Sequence, residues 1–223
     1  MKLTTEMADA DGGAWMDALA DEHALSGVVS VGRAGRGTVR AYGEADRANG
    51  LPNAPDTRFG IASGTKFITA LAVGALIDEG RLALDARVRE VIRADLPDVS
   101  PDVTIAHLLG HTSGVFDYYD EELVEDFDNF HVAVPWSFLT TPRDYLPLFE
   151  GGRMKSAPGE RFSYSNGGYI LLGIAIEDVT GMLFRDFAAQ HVLAPACMED
   201  SGFFALNRLP GRVAVGYMPE PDD

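Results

Sequence analysis

A chain of 223 residues, 46% hydrophobic and 23% charged, is long enough for one substantial core or two small ones. Its formal net charge of −16 at pH 7 argues against nucleic acid and anionic membrane surfaces as partners, because both would repel it, and fits a solubilising surface. The single Cys197 excludes an internal disulfide and cannot alone hold zinc; it reads as a small packed side chain rather than a nucleophile.

No internal repeat or low-complexity tract is present. Met1 to Trp15 has one lysine and no apolar stretch of the kind a secretion signal needs. No run approaches the ~18 apolar residues of a membrane span. A cytoplasmic protein is therefore the expectation. Ala14 to Ala24 sets Trp15, Met16, Leu19 and Ala20 at helical spacing. Gly27 to Gly32 and Thr38 to Gly43 are β-branched runs bounded by glycine; with a turn over Arg33 to Gly37 they predict a β-hairpin. Ala45 to Asp56 is mostly polar, contains Asn49-Gly50 and Pro52, and reads as a loop.

The stretch Ile61-Ala62-Ser63-Gly64-Thr65-Lys66 opens the most apolar helical run of the chain. Between Ser63 and Glu79, Phe67, Ile68, Leu71, Val73, Leu76 and Ile77 spread apolar surface over more than one face, which predicts a buried helix. Ser63 is a suitable N-cap residue and Gly80 a suitable stop. Residues three apart share a helix face, so the Lys66 amine can reach the Ser63 hydroxyl. A free serine hydroxyl is a weak nucleophile, and a lysine with its ordinary pKa near 10.4 cannot accept a proton. Burial disfavours the ammonium and would make Lys66 a usable base. Free N–H groups at the helix start would face an oxyanion formed above Ser63. The plainer alternative is an N-cap serine beside an ordinary first-turn lysine, so this tetrapeptide needs a second motif.

Ala86 to Ala94 reads as a short helix with Val88, Val91 and Ile92 inward, followed by a loop punctuated by Pro97 and Pro101. Thr104 looks like the N-cap of a helix through Leu109. His111 and Ser113 could suggest a catalytic pair, but residues two apart on a turn present side chains poorly to each other, and a loop-holding role is the better reading. Phe116 to Phe149 is irregular and aromatic, with Tyr118, Tyr119, Phe127, Phe130, Trp136, Phe138 and Tyr145 among acids. It is either a pocket wall or lid, or a loop covering the helices. Within it Thr141-Pro142 should start a helix toward Phe149. Its acids match no calcium loop and His131 is isolated, so no metal site is expected.

The second motif is Phe162-Ser163-Tyr164-Ser165-Asn166-Gly167-Gly168-Tyr169, a Tyr-x-Asn on a turn before an apolar helix from Tyr169 to Thr180, stopped by Gly181. The tyrosine offers a phenol for proton transfer; the asparagine offers both a donor and an acceptor. Leu183 to Val192 reads as a further amphipathic helix with Leu183, Phe184, Phe187 and Ala188 on one side, ended by Pro195.

Ser63, Lys66, Tyr164 and Asn166 together resemble the first two signature motifs of the serine β-lactamase and penicillin-binding-protein superfamily. The tyrosine form is similar to the class C β-lactamase, D-Ala-D-Ala carboxypeptidase and family VIII esterase branch. The lead-in Asp56-Thr57-Arg58-Phe59-Gly60, the exit Gly80-Arg81-Leu82-Ala83-Leu84-Asp85, Pro158-Gly159 and the segment Thr104-Ile105-Ala106-His107-Leu108-Leu109-Gly110-His111-Thr112-Ser113-Gly114 fit the same pattern in order. The family's third motif, Lys/His-x-Gly, has no counterpart; the chain resembles roughly two-thirds of a family member.

The resemblance implies an α/β (α+β) β-lactamase/DD-peptidase-like fold, an antiparallel sheet packed by helices plus a mostly helical domain, with the sheet incomplete. Residues 1–60 would supply the first helix and strands, 61–200 the helical domain, and 201–223, including Ser201 to Phe204 and Arg212 to Met218, the start of a return to the sheet. It implies acyl-enzyme chemistry on a small-molecule ester, amide or β-lactam. Ser63 would be the nucleophile, Lys66 and Tyr164 would share the proton work, and Asn166 would orient the substrate amide and the lysine. The Ser63 N–H would form half of an oxyanion hole. No cofactor is needed. An open strand edge predicts self-association. The rival is a non-catalytic member that keeps the pocket for binding or assembly.

Overall fold

The computed structural model describes residues 13–33, 36–121, 123–124, 126 and 130–217. The residues before Gly13, the turn residues Ala34 and Gly35, Phe127 and Met218 lie outside the described residues. The chain divides into two compact units, residues 1–61 with 204–223, and residues 62–203.

In the first unit, helix α1 (Ala14–Glu22) buries Met16 and Ala20, four apart on one face. Strands β1 (Gly27–Arg33) and β2 (Arg36–Tyr42) form the antiparallel hairpin the sequence predicts, with Gly27 opposite Tyr42 and Val31 opposite Thr38. The Tyr42 hydroxyl donates to Asp17 Oδ1 at 2.7 Å and ties β2 to α1. The segment read as a loop holds a second, smaller hairpin, β3 (Glu44–Asp46) and β4 (Leu51–Pro52), with a register irregularity at Glu44/Asp46. Its turn is set by Asn49 N–H on Asp46 Oδ1 at 3.1 Å and by Gly50 at φ 61°; strands this short carry no readable alternation. The chain returns beside Arg58, whose N–H donates to the Arg212 carbonyl at 2.7 Å and whose carbonyl accepts from Ala214 at 2.8 Å. This is a single parallel bridge, Arg58 to Val213.

The second unit is built around helix α5 (Asn166–Thr180), which packs against α2 (Thr65–Asp78), α3 (Val88–Val91), α4 (Ile105–Leu109), α6 (Phe184–Ala188) and the 3₁₀ segment Pro142–Phe149. Its Leu171, Leu172, Ile174, Ala175 and Ile176 have no exposed surface. Each large side chain so buried contributes about 1.5–3 kcal/mol. Gly173 lets Pro142 approach to where a Cβ would stand 3.0 Å from its Cγ. Three of the caps follow the sequence. The Thr104 side chain accepts from His107 N–H and begins α4, Gly80 follows α2 at φ 67°, and Gly181 ends α5 at φ 75°. No single helix among the described residues is long and apolar enough to cross a membrane.

Four further expectations are corrected. Helix α2 buries one face, Ile68, Thr69, Ala72, Val73 and Leu76, but Phe67 is 66% and Leu71 43% exposed; apolar surface on two faces needs cover on two sides. The helix of Ala86 to Ala94 contracts to one turn. Arg87 leaves it to pair with Thr104, and Val88 N–H donates to Val103 O at 2.9 Å. Past α6 the chain continues as a π turn, Ala189–Leu193. Cys197 is exposed at φ 56° in the turn that follows, not packed.

Candidate active site

Ser63 sits in a single 3₁₀ turn, Ala62–Gly64, ahead of α2. Ala62 has φ 42°, and the Thr65 hydroxyl donates to its carbonyl at 2.8 Å. Gly64, not Ser63, occupies the N-cap position, and no side chain caps there. The serine hydroxyl is engaged elsewhere. It accepts from Lys66 Nζ at 3.1 Å and from the Tyr164 hydroxyl at 2.7 Å. Lys66 Nζ also donates to Asn166 Oδ1 at 2.8 Å and lies over the rings of Tyr164 and Tyr169, 4.8 and 5.7 Å from their centroids. The four residues singled out in the sequence thus meet through hydrogen bonds that span about a hundred residues of chain. Ser63 is exposed and Lys66 half-buried, so the lysine is less sheltered than its apolar helix suggests.

Tyr164 and Asn166 are carried by the start of α5. That helix begins at Asn166, earlier than the sequence reading, because Ser165 is its N-cap: Ser165 Oγ accepts from Gly168 N–H at 2.9 Å. His111 holds this start from the other side. Its Nδ1 accepts from Ser165 N–H at 3.0 Å and its carbonyl from Ser163 N–H at 2.8 Å. Its ring lies between Tyr164 and Tyr169, with centroids 4.5 and 5.0 Å away. Burial pushes the His111 pKa down, and the charges of Lys66 and Lys155 push the same way. A neutral imidazole is what an acceptor Nδ1 requires. Ser113 is not its partner; Ser113 Oγ accepts from Val115 N–H at 3.3 Å.

The two tyrosines differ in a way that matters chemically. The Tyr169 hydroxyl donates to the Leu109 carbonyl at 3.1 Å, and burial, then the neighbouring Tyr164, push its pKa up. It is a fixed phenol. The Tyr164 hydroxyl points at Ser63.

Asp117, Tyr119 and Lys155, the last paired with Asp120, also join this network. Asp117 is 3% exposed and accepts from the N–H groups of Asn166 at 2.6 Å, Gly167 at 3.1 Å and Tyr119 at 3.2 Å. Burial pushes its pKa up, and these N–H groups and the Lys155 charge oppose that. Lys155 Nζ lies 3.1 Å from Asp120 Oδ2 and donates to the Tyr164 carbonyl at 3.3 Å. One signal was available for Lys155: the chain has three lysines, so its place two residues past Arg153, near the second motif, is unusual. Asp117 looked like one acid among many in the aromatic segment. Of that segment's rings, Tyr119 meets Phe130 edge-on at 4.6 Å, and the Tyr119 carbonyl accepts from Asn166 Nδ2 at 3.1 Å. Among the described residues no three His, Cys, Asp or Glu side chains are grouped to hold a metal ion.

The sequence pattern of the family described as Beta-lactamase matches residues 13–223. The chain belongs to the β-lactamase family. It is 36% identical over 213 residues to the esterase EstB of Burkholderia gladioli, covering 92% of this chain and 54% of that one. A penicillin-binding protein from Bacillus halodurans superposes with a TM-score of 0.85 at 40% identity, over 93% of this chain and 63% of that one. A D-amino acid amidase from Ochrobactrum anthropi SV3, solved with L-phenylalanine amide, superposes with a TM-score of 0.73 at 26% identity, over 94% of this chain and 58% of the other. The fold is thus the β-lactamase and penicillin-binding-protein one, mixed helix and small sheets. The chain spans between 54% and 63% of the length of these relatives.

Proposed function

We propose that the protein is an acyl-transfer serine hydrolase acting on small esters and amides. The observation that carries this reading is the chain of hydrogen bonds that links Asn166 to Lys66, Lys66 to Ser63 and Ser63 to Tyr164. A neutral lysine amine has two N–H bonds and one lone pair. With one N–H on Asn166 Oδ1, the lone pair can turn to the Ser63 hydroxyl. Ser63 Oγ then attacks the substrate carbonyl while its proton passes to Lys66. Tyr164 protonates the departing alkoxide or amine, and its phenolate takes the proton of the water that cleaves the acyl-enzyme, which regenerates the phenol, while Lys66 returns its proton to the expelled Ser63 Oγ. Tyr169 is not in a position to replace it, since its hydroxyl is committed to Leu109. Relatives named as an esterase and an amidase support the ester and amide assignment; β-lactams share the same carbonyl chemistry and are kept as alternative substrates.

The test is intact-mass measurement on the full natural chain after treatment with a fluorophosphonate and, separately, a penicillin. One adduct per chain on the native protein and none on Ser63→Ala is expected. A protein that takes no adduct from either reagent is instead the non-catalytic binding module.

A further inference from the structure

Asn166 must present the correct end of its amide, and the two ends are nearly the same shape. Oδ1 accepts from Lys66 at 2.8 Å; a flipped amide would set N–H donors against an amine that is itself the donor. The other end is therefore where the choice is made. Nδ2 donates to the Tyr119 carbonyl at 3.1 Å and to Asp117 Oδ2 at 3.4 Å. Both partners only accept, so the flipped amide would lose two donors and gain two repulsions. Asp117 does more than supply one of these acceptors. It binds the Asn166 backbone N–H at 2.6 Å, which places the residue, and the Tyr119 N–H at 3.2 Å, which places the segment carrying the second acceptor. Ser165 caps α5 through Gly168, and Asp117 takes the free N–H groups of Asn166 and Gly167, but capping does not require its further contacts to Asn166 Nδ2 and the Tyr119 N–H. Nor is it a solvated acid, being 3% exposed.

We propose that Asp117 is the positioning residue of this site: one buried carboxylate fixes where Asn166 sits and which end of its amide faces Lys66. The proposal rests on the hydrolase reading for its kinetic consequence, though not for its geometry. Asp117 acts on the reaction through Asn166, so its effect vanishes when Asn166 has no amide.

The test is a double-mutant cycle on the full natural chain, with p-nitrophenyl butyrate as substrate. Asp117→Asn is expected to lower kcat on the order of a hundredfold, as a misplaced reactive group does, with KM within about threefold. In an Asn166→Ala background the same substitution should change kcat by no more than about twofold. Equal losses in both backgrounds would overturn the proposal, since a merely structural carboxylate gives that result. Should Asp117→Asn fail to fold, the cycle is run with Asp117→Glu, which keeps the charge and displaces the oxygens; the same two outcomes decide it. A second readout needs no turnover. The Asn166 side-chain amide, assigned in ¹⁵N–¹H spectra by Asn166→Ala, should exchange slowly in the native protein and quickly in Asp117→Asn. An exchange rate that Asp117→Asn leaves unchanged overturns the proposal. A native protein that turns over no ester but shows the Asp117-dependent amide retains the positioning and loses the hydrolase reading.

Discussion

Residues 62–203 and the unit formed by 13–61 with 204–217 are held together differently. The first has a continuous cluster of buried apolar side chains from Ile68 to Leu193, with α5 in its middle. In the second, the buried apolar side chains among the described residues are Met16 and Ala20. Backbone pairing and polar stitches do the rest there: Asn53 Nδ2 donates to the Tyr42 carbonyl at 2.8 Å and to Ser26 Oγ at 3.1 Å, and Arg212 pairs with Asp56. Gly43, at φ 64°, is so close to Ser26 that a Cβ would stand 2.6 Å from its Oγ. All of Ser63, Lys66, Tyr164 and Asn166 belong to the apolar unit. Groups that must meet within a few tenths of an ångström sit on the part of the chain whose packing leaves fewest alternatives, whereas two-stranded hairpins are marginal by themselves.

Substitutions can break that contrast. The largest effect is expected at the site itself: Lys66→Ala should lower kcat by about 10²–10⁴ on an ester substrate while leaving the denaturation midpoint near the native one. Beneath it, Phe187 has no exposed surface, and Phe187→Ala should cost about 3–5 kcal/mol by chemical denaturation. Gly167→Ala should cost about 1–3 kcal/mol and also lower kcat, because the new Cβ would stand 2.8 Å from the Phe116 carbonyl and displace the start of α5 that carries Asn166. In the hairpin unit, Val39 is 41% exposed on β2, and Val39→Ala should stay within about 0.5 kcal/mol. A Val39→Ala as costly as Phe187→Ala would show that both units rest on apolar burial.

A pH series sharpens the same contrast. The His111 pKa is depressed in the folded protein by burial and by Lys66 and Lys155, and the rings of Tyr164, Tyr169 and Phe162 that pack on it are neutral. The unfolded chain therefore binds protons that the folded one does not. This contribution to stability is complete above the unfolded histidine pKa of about 6.5 and is lost as pH falls below it toward the depressed folded value. Asp117, raised by burial, works in the opposite sense at more acid pH. Comparing denaturation of the native chain and His111→Gln at pH 7.5 and 5.5 isolates the histidine. The native chain should lose more stability on acidification than the variant, and equal losses would mean that His111 titrates normally.

Much of this was legible along the chain because it depends on neighbours in sequence. The Thr104 cap, the glycines that end α2 and α5, the first hairpin and the one-turn spacing of Ser63 and Lys66 all follow from local backbone geometry. The second hairpin was not legible, since β4 is two residues long. Nor was the N-cap of α2, where the Ser63 hydroxyl turns to Lys66 and Tyr164 instead of to the backbone.

Residue types and local spacing settled which groups have the chemistry to attack a carbonyl and move a proton. They could not settle how those groups are aimed. The Asp117 contact to Asn166 crosses 49 residues, and the Lys66 contact to the same side chain crosses 100. Only the packing of α2 and the 111–120 segment around α5 decides such contacts, because a carboxylate or an imidazole becomes a positioning group through what burial places beside it, and that is set by the fold as a whole.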